Sequence, residues 1–153
     1  MGKIRPVLVL IKIISPEDVL AIRNEVLREG RLTLDECRFP TDTIDGAFHL
    51  GYYANKELAC IASFFPQNYE GYVGTGYQLR GMATVEKHRG KGLGTLLLNF
   101  AIVYLQGKKA GYLWCNARKV ALKFYMDNGF EVISPEFEVP GIGPHYVMYL
   151  KIK

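Results

Sequence analysis

Arg89-Gly90-Lys91-Gly92-Leu93-Gly94 decides how the rest of this 153-residue chain is read. The stretch follows an apolar run that ends at Val85, and it opens a pattern that continues to about Leu105. Leu93, Leu96, Leu97, Phe100, Ala101, Tyr104 and Leu105 recur at helical spacing. A strand therefore hands over to a helix through a glycine-rich turn. Glycine lets backbone N–H groups turn outward and lets a ligand come close to the main chain. The helix start adds unpaired N–H groups and the positive end of the helix dipole. The combination predicts a phosphate or pyrophosphate site, with Arg89 and Lys91 contributing charge.

Two phosphate motifs fail here. A P-loop needs Ser or Thr after Gly-Lys, and Gly92 follows Lys91. The dinucleotide fingerprint needs a third glycine at 95 or 97, where Thr and Leu stand. What remains is Arg-x-x-Gly-x-Gly between a strand and a helix.

Working outward, Val7–Ile14 reads as a strand. Ser15-Pro16-Glu17-Asp18 starts a helix, with Ser15 as N-cap, and the helix runs to about Arg28 with Val19, Ile22, Val26 and Leu27 toward the core. Arg31–Asp45 is a long connection carrying Asp35, Glu36, Asp42 and Asp45, four acids that would suit a cationic amine. Ala47–Ala54 and Glu57–Phe65 read as a hairpin around Asn55-Lys56. Tyr77–Val85 is the next strand, and Gly81 within it suggests a bulge or a close backbone approach. After the long helix come a short strand Tyr112–Cys115, a helix Arg118–Asn128 stopped by Gly129, a strand Phe130–Ile133, a Pro/Gly loop Ser134–Gly143 and a last strand His145–Ile152. This order predicts an α/β (α+β) fold. One mixed sheet of about seven strands is flanked by about four helices in a single domain over 1–153.

The chain is 49% hydrophobic and 22% charged, with net charge +4, so a globular fold is expected. No run of like charges suggests a nucleic-acid tail. The apolar run at 7–14 is interrupted by Lys12 and falls short of the ~20 residues of a membrane span. Three cysteines, Cys37, Cys60 and Cys115, include no Cys-x-x-Cys pair. They speak against a zinc site or a disulfide framework and for a reducing, cytoplasmic setting. No metal, nucleic acid or membrane partner is expected. The oligomeric state stays open, a homodimer included.

Met82-Ala83-Thr84-Val85 followed by Arg89-x-x-Gly92-x-Gly94 resembles the acyl-CoA-binding signature of the GNAT superfamily of N-acyltransferases. Trp114-Cys115-Asn116-Ala117-Arg118 and Ala121 to Phe130 resemble its second hallmark, a strand and then a tyrosine-bearing helix closed by Gly-Phe. His49-Leu50-Gly51 and Pro144-His145-Tyr146-Val147-Met148 are similar to a subgroup of predicted acyltransferases with undefined acceptor.

The resemblance implies a GNAT-like fold and transfer of an acetyl group from acetyl-CoA to a primary amine by direct attack. It implies that the backbone of Arg89, Gly90, Lys91, Gly92, Leu93, Gly94 and Thr95 holds the pyrophosphate. Met82, Ala83 and Thr84 then pair with the pantetheine arm, where an N–H could polarise the thioester carbonyl. Tyr125 becomes the general acid for the departing thiolate, with Ala121 one turn earlier leaving room for the arm. The alternative for Tyr125 is a core aromatic, and Asn116 reads equally as a contact to the donor or as a turn residue after its strand. Arg118, Lys119 and Lys123 read first as a solvated helix face. The base that keeps the amine neutral is open between His49 and His145, with His145 closer to the subgroup pattern. A rival with the same donor signature is a non-catalytic acyl-CoA sensor.

Overall fold

The computed structural model describes residues 9–153, so Val7 and Leu8 of the expected first strand lie outside it. Eight strands form one sheet: β1 (Val9–Ile14), β2 (Phe48–Ala54), β3 (Glu57–Pro66), β4 (Gly76–Thr84), β5 (Tyr112–Arg118), β6 (Glu131–Val132), β7 (Phe137–Val139) and β8 (Gly143–Lys151). Their hydrogen-bonded order is β1-β2-β3-β4-β5-β8-β6, and β7 also pairs with β8. β1 lies antiparallel to β2, with Ile14 opposite His49. β4 and β5 run parallel, with Gly76 opposite Tyr112 and Gln78 opposite Trp114. β5 pairs antiparallel with β8 from Tyr112–Lys151 to Arg118–His145. The sheet is therefore mixed, as the alternation of hairpin and β-α-β units requires.

Three helices are present rather than four among the described residues: α1 over 16–27, α2 (Leu93–Gly107) and α3 (Leu122–Asp127). In place of a fourth, the long connection holds a single 3-10 turn, Asp35–Cys37. α1 changes winding along its length: a 3-10 turn Pro16–Val19, one α turn Leu20–Ile22, then a π turn Arg23–Leu27. Ser15 and Asp18 form a capping box at its start. The expected helix over Arg118–Asn128 is also divided. β5 extends to Arg118, a 3-10 turn takes Lys119–Ala121, and the α-helix begins at Leu122.

The chain divides into two compact units: residues up to Ser63 with Gly81–Ala101, and Phe64–Arg80 with Ile102–Lys153. In the first, Asn55 and Lys56 turn the β2–β3 hairpin with φ of 50° and 69°, the left-handed pair that matches strand twist. Its core is built on Leu50, Ala59, Ile61 and Val19, all fully buried. In the second, Tyr112, Trp114 and Val147 form a core that Tyr69, Tyr72, Ile133, Phe137 and Tyr149 cover. Trp114 Nε1 donates to the Gln67 carbonyl (2.8 Å), so the ring is buried without losing its hydrogen bond.

Periodicity leaves the buried face of α2 undecided, because apolar residues stand around most of it. Leu93, Leu97, Leu98, Ala101 and Leu105 are buried, whereas Leu96 is 42% exposed and Phe100 and Tyr104 are half-buried. The expected loop Ser134–Gly143 contains β7, whose Phe137-Glu138-Val139 alternates with period two between two prolines.

Candidate active site

The first unit holds the glycine-rich turn. Thr84 ends β4, and the Val85 N–H bonds the Ala59 carbonyl at 2.9 Å, fixing the end of the strand. A 3-10 turn over Glu86–His88 then delivers the chain to Arg89. Gly90 and Gly92 have φ of +77° and +78°, a conformation that L side chains resist. Nothing lies within 4 Å of where their Cβ atoms would be, so the turn faces open space. The first hydrogen bond across the start of α2 runs from the Leu96 N–H to the Gly92 carbonyl (3.2 Å). The amides of Leu93, Gly94 and Thr95 thus precede the helical ladder and keep their hydrogen capacity for an anion. Arg89 Nε donates to the Thr84 carbonyl at 3.3 Å, and Lys91 Nζ to His88 Nδ1 at 3.3 Å. Both cations are exposed at the rim of the turn. These features suit a diphosphate.

The strand leading into this turn is irregular, as Gly81 suggests. Gly81 has φ +65°, and a Cβ there would lie 3.5 Å from Arg23 Nε and 3.5 Å from the Phe39 ring. Met82 and Thr84 are half-buried and Ala83 is buried. The Thr84 hydroxyl donates to Cys60 Sγ (3.2 Å), and burial pushes the Cys60 thiol up to about 11.

Beside Gly81 lies a buried polar network that sequence patterning does not reveal. Arg23 is 1% exposed. Its Nη1 and Nη2 grip the two oxygens of Asp42 at 2.7 and 2.8 Å. Nη1 also donates to the Cys37 carbonyl (3.0 Å) and Nη2 to Ser63 Oγ (2.9 Å), while the guanidinium lies 3.7 Å from the centre of the Phe39 ring. His49 Nε2 sits 3.0 Å from the Asp42 carbonyl, which can only accept, so Nε2 carries the proton. His49 Nδ1 then accepts from Ser63 Oγ at 2.7 Å. Burial holds the His49 pKa below its ordinary value, against the opposing pull of the Asp42 carbonyl and carboxylate. Burial raises Asp42, but its bonds to Arg23 and to the Phe39 amide prevail and hold it below the usual carboxylate value.

This network corrects two expectations. His49 has both ring nitrogens engaged and is no candidate base. Asp42 is no acid waiting for a cationic amine, because its charge is matched by Arg23. Asp35 is committed to Arg38 (2.8 Å), and the Glu36 carboxylate accepts the Thr33 N–H (2.9 Å). One signal was available for Arg23: it stands four residues after Val19, next to Ile22, on the apolar face of α1. A charge there calls for a buried partner.

The second unit carries the remaining residues. Tyr125 is 7% exposed on α3, edge-on to Phe130 (5.2 Å) and Phe124 (5.1 Å). Burial pushes the Cys115 thiol of β5 up to about 12, against a smaller lowering by Tyr125, so the thiol stays protonated and is no nucleophile at neutral pH. Asn116 is exposed within β5, opposite Val147, so it is a strand residue and not part of a turn. Ala121 ends the 3-10 turn and caps α3. His145 is 6% exposed, and its Nδ1 lies 2.8 Å from the Gly143 carbonyl, which places the proton on Nδ1 and the lone pair on Nε2. Its ring packs on Phe137 at 5.8 Å. Lys119 and Lys123 pair with Glu136 (3.1 Å) and Asp127 (2.8 Å) on the surface, as a solvated face would.

Among the described residues no group of three or more His, Cys, Asp or Glu is placed to hold a metal ion, and no helix is long and apolar enough to cross a membrane. A mixed sheet with a glycine-rich turn between β4 and α2 defines the fold class. The acetyltransferase (GNAT) domain model matches residues 45–132. The chain is 36% identical over 144 residues to YitI, an uncharacterized N-acetyltransferase of Bacillus subtilis (strain 168), covering 94% of this chain and 96% of that protein. The chain therefore belongs to the GNAT family of N-acetyltransferases, an enzyme class. The fold matches an acetyltransferase of the GNAT family from Streptococcus pneumoniae, with TM-score 0.69, 19% identity and coverage of 95% and 99% of the two chains. It also matches an aminoglycoside 6'-N-acetyltransferase complexed with coenzyme A, with TM-score 0.69, 13% identity and coverage of 94% and 97%.

Proposed function

We propose that the whole chain, 1–153, acts as one N-acetyltransferase domain. It transfers an acetyl group from acetyl-CoA to a primary amine of a small molecule or peptide. The observation that carries the donor assignment is the pair of left-handed glycines, Gly90 and Gly92, opening α2 toward free space. In this reading the amides of Arg89 to Thr95 hold the diphosphate, and Met82, Ala83 and Thr84 pair with the pantetheine arm as an added strand would. Asn116 and Ala121 contact the donor. The coenzyme A complex of the aminoglycoside acetyltransferase supports a CoA thioester as donor. The free, buried thiols of Cys37, Cys60 and Cys115 support a reducing, cytoplasmic setting.

The amine nitrogen attacks the thioester carbon, the C–S bond breaks, and the sulfur leaves as a thiol. Tyr125 supplies the proton to that sulfur. His145 Nε2 carries a lone pair and is the candidate acceptor of the proton the amine gives up.

A second reading has one observation in its favour. Tyr125 is buried edge-on between Phe124 and Phe130 within its own unit, as a purely structural tyrosine in an acyl-CoA sensor would be. Release of CoA thiol from acetyl-CoA, measured across a panel of amines with wild type and Tyr125→Phe, decides between them. Catalysis predicts turnover on some amine, a kcat lower by roughly 10²-fold or more in Tyr125→Phe, and unchanged acetyl-CoA affinity. An unchanged kcat makes Tyr125 structural. Tight acetyl-CoA binding with no turnover on any amine favours the sensor.

A further inference from the structure

The last stretch of β4 is held at both ends. Gly81 lies against the Arg23 and Phe39 side chains, where an added Cβ would stand 3.5 Å from Arg23 Nε and 3.5 Å from the Phe39 ring. Beyond it, the Thr84 hydroxyl donates to Cys60 Sγ and the Val85 N–H to the Ala59 carbonyl. Met82 and Ala83 stand between these anchors. Gly81 is left-handed, at φ +65°. Such a residue inside a strand turns the peptide that follows it and interrupts the ladder. That peptide carries the Met82 N–H.

The wall that meets Gly81 is fixed from several directions. Asp42 takes two bonds from the Arg23 guanidinium and one from the Phe39 amide, so one carboxylate holds both residues of the wall. The guanidinium lies 3.7 Å from the centre of the Phe39 ring, and its other bonds go to the Cys37 carbonyl and to Ser63 on β3. α1, the connection after it and β3 are thereby tied to one point on β4. Arg23 Nε, the atom nearest to Gly81, is buried without a hydrogen-bond partner. A buried ion pair with one orphan N–H is a poor route to stability, because apolar residues of the same volume do as well. What it offers instead is a planar, rigid fork that fixes position.

We propose that Arg23 is a positioning residue: braced by Asp42 and with Phe39 beside it, it fixes the turn of β4 at Gly81, and with it the direction in which the Met82 N–H meets the donor's thioester carbonyl. This rests on the acetyltransferase reading above, in which Met82–Thr84 pair with the pantetheine arm, and it names what aims them. Arg23 itself touches no reacting atom. An amide donor stabilises the charge that builds on the carbonyl oxygen as the amine attacks, and that help depends steeply on aim. Affinity for CoA comes from the diphosphate turn and is independent of the network.

Difference infrared spectroscopy of acetyl-CoA, isotope-labelled at the carbonyl and bound to the protein, reads this aim directly and needs no acceptor. In wild type the carbonyl band is expected below its position in free acetyl-CoA. Arg23→Met combined with Asp42→Ala returns it toward the free position, while calorimetry gives an acetyl-CoA affinity within about threefold of wild type. On any amine that is turned over, the same variant loses about tenfold or more in kcat with little change in KM for acetyl-CoA. Phe39→Leu leaves the charges paired and is the milder arm, with a smaller shift in the same direction. A wild-type band in both variants overturns the proposal and leaves the network a scaffold. Acetyl-CoA bound to wild type with an unshifted carbonyl also overturns it, with the donor assignment intact. Absence of acetyl-CoA binding removes the donor assignment itself, and this proposal with it.

Discussion

The glycine-rich turn at 89–94 and the buried network around Arg23 belong to the same compact unit, yet they are built from different materials. The turn works with main-chain amides, and its chemistry is set by glycines a fixed number of residues apart. The network works with side chains that lie far apart in sequence: Arg23 reaches Asp42 across 19 residues and Ser63 across 40. A backbone site is local, so one hexapeptide can specify it. A side-chain site is assembled by tertiary contacts, and its residues look ordinary until the chain is folded. The turn is legible in the sequence for the first reason and the network obscure for the second.

The contrast breaks most directly at Gly94. Gly94→Asp puts a carboxylate in the first turn of α2, where an acid favours the helix, so the fold is expected to stand. The same charge opposes a diphosphate at the Leu93–Thr95 amides. Calorimetry should show CoA affinity down by about a hundredfold or more, with an unchanged thermal midpoint. Full CoA affinity in folded Gly94→Asp would remove the donor assignment and with it the claim that the turn is the legible half.

The network is sharpened by separating its charge from its packing. Asp42→Ala leaves the Arg23 guanidinium buried beside a lost partner, which costs about 3–5 kcal/mol in denaturant unfolding. Arg23→Met combined with Asp42→Ala removes both charges and should recover most of that stability. The double variant also loses the bond to the Cys37 carbonyl and the stacking on Phe39. We expect it to fold and to bind CoA normally. A double variant as unstable as Asp42→Ala alone would mean that the unpaired buried charge is not what makes the single variant costly.

How far the sequence carried follows the same division. The strand–turn–helix at 77–105, the Asn55-Lys56 hairpin and the Ser15 cap rest on local chemistry and appear where expected. The errors fall where tertiary packing chooses among local options. α2 is apolar on more than one side, and only the folded chain shows that Leu97 and Leu98 go inward while Leu96 stays out. β7 is three residues long and exists because β8 offers it an edge, opposite Gly143–His145. β5 outruns its expected end at Cys115 because β8 pairs with it as far as Arg118. Among the candidate site residues, the glycines could be placed from spacing alone. His49 could not be separated from His145 until Ser63 and the Asp42 carbonyl were seen on both nitrogens of the first.

The smallest expected effect is a pH dependence that comes from that histidine. His49 is neutral in the fold, with its proton on Nε2 and its lone pair facing Ser63. Protonating Nδ1 would place a donor against a hydroxyl that already accepts from Arg23, beside the Arg23 charge. Burial lowers the folded pKa below the ordinary 6.5. Between the two values the unfolded chain binds the extra proton and the folded chain does not, so stability rises with pH in that window. The stability is fully present above about pH 6.5 and is lost as pH falls from there toward the folded pKa. Asp42, held low by Arg23 and the Phe39 amide, adds a loss only in a more acidic window, below its ordinary 3.8. Thermal midpoints should therefore fall between pH 7.5 and 5.5 in wild type. His49→Gln starts from a lower midpoint and should show a flatter slope over the same range. A slope that His49→Gln leaves untouched would mean that another group carries the dependence, and that the neutral tautomer is not what holds Ser63 and Arg23 in place.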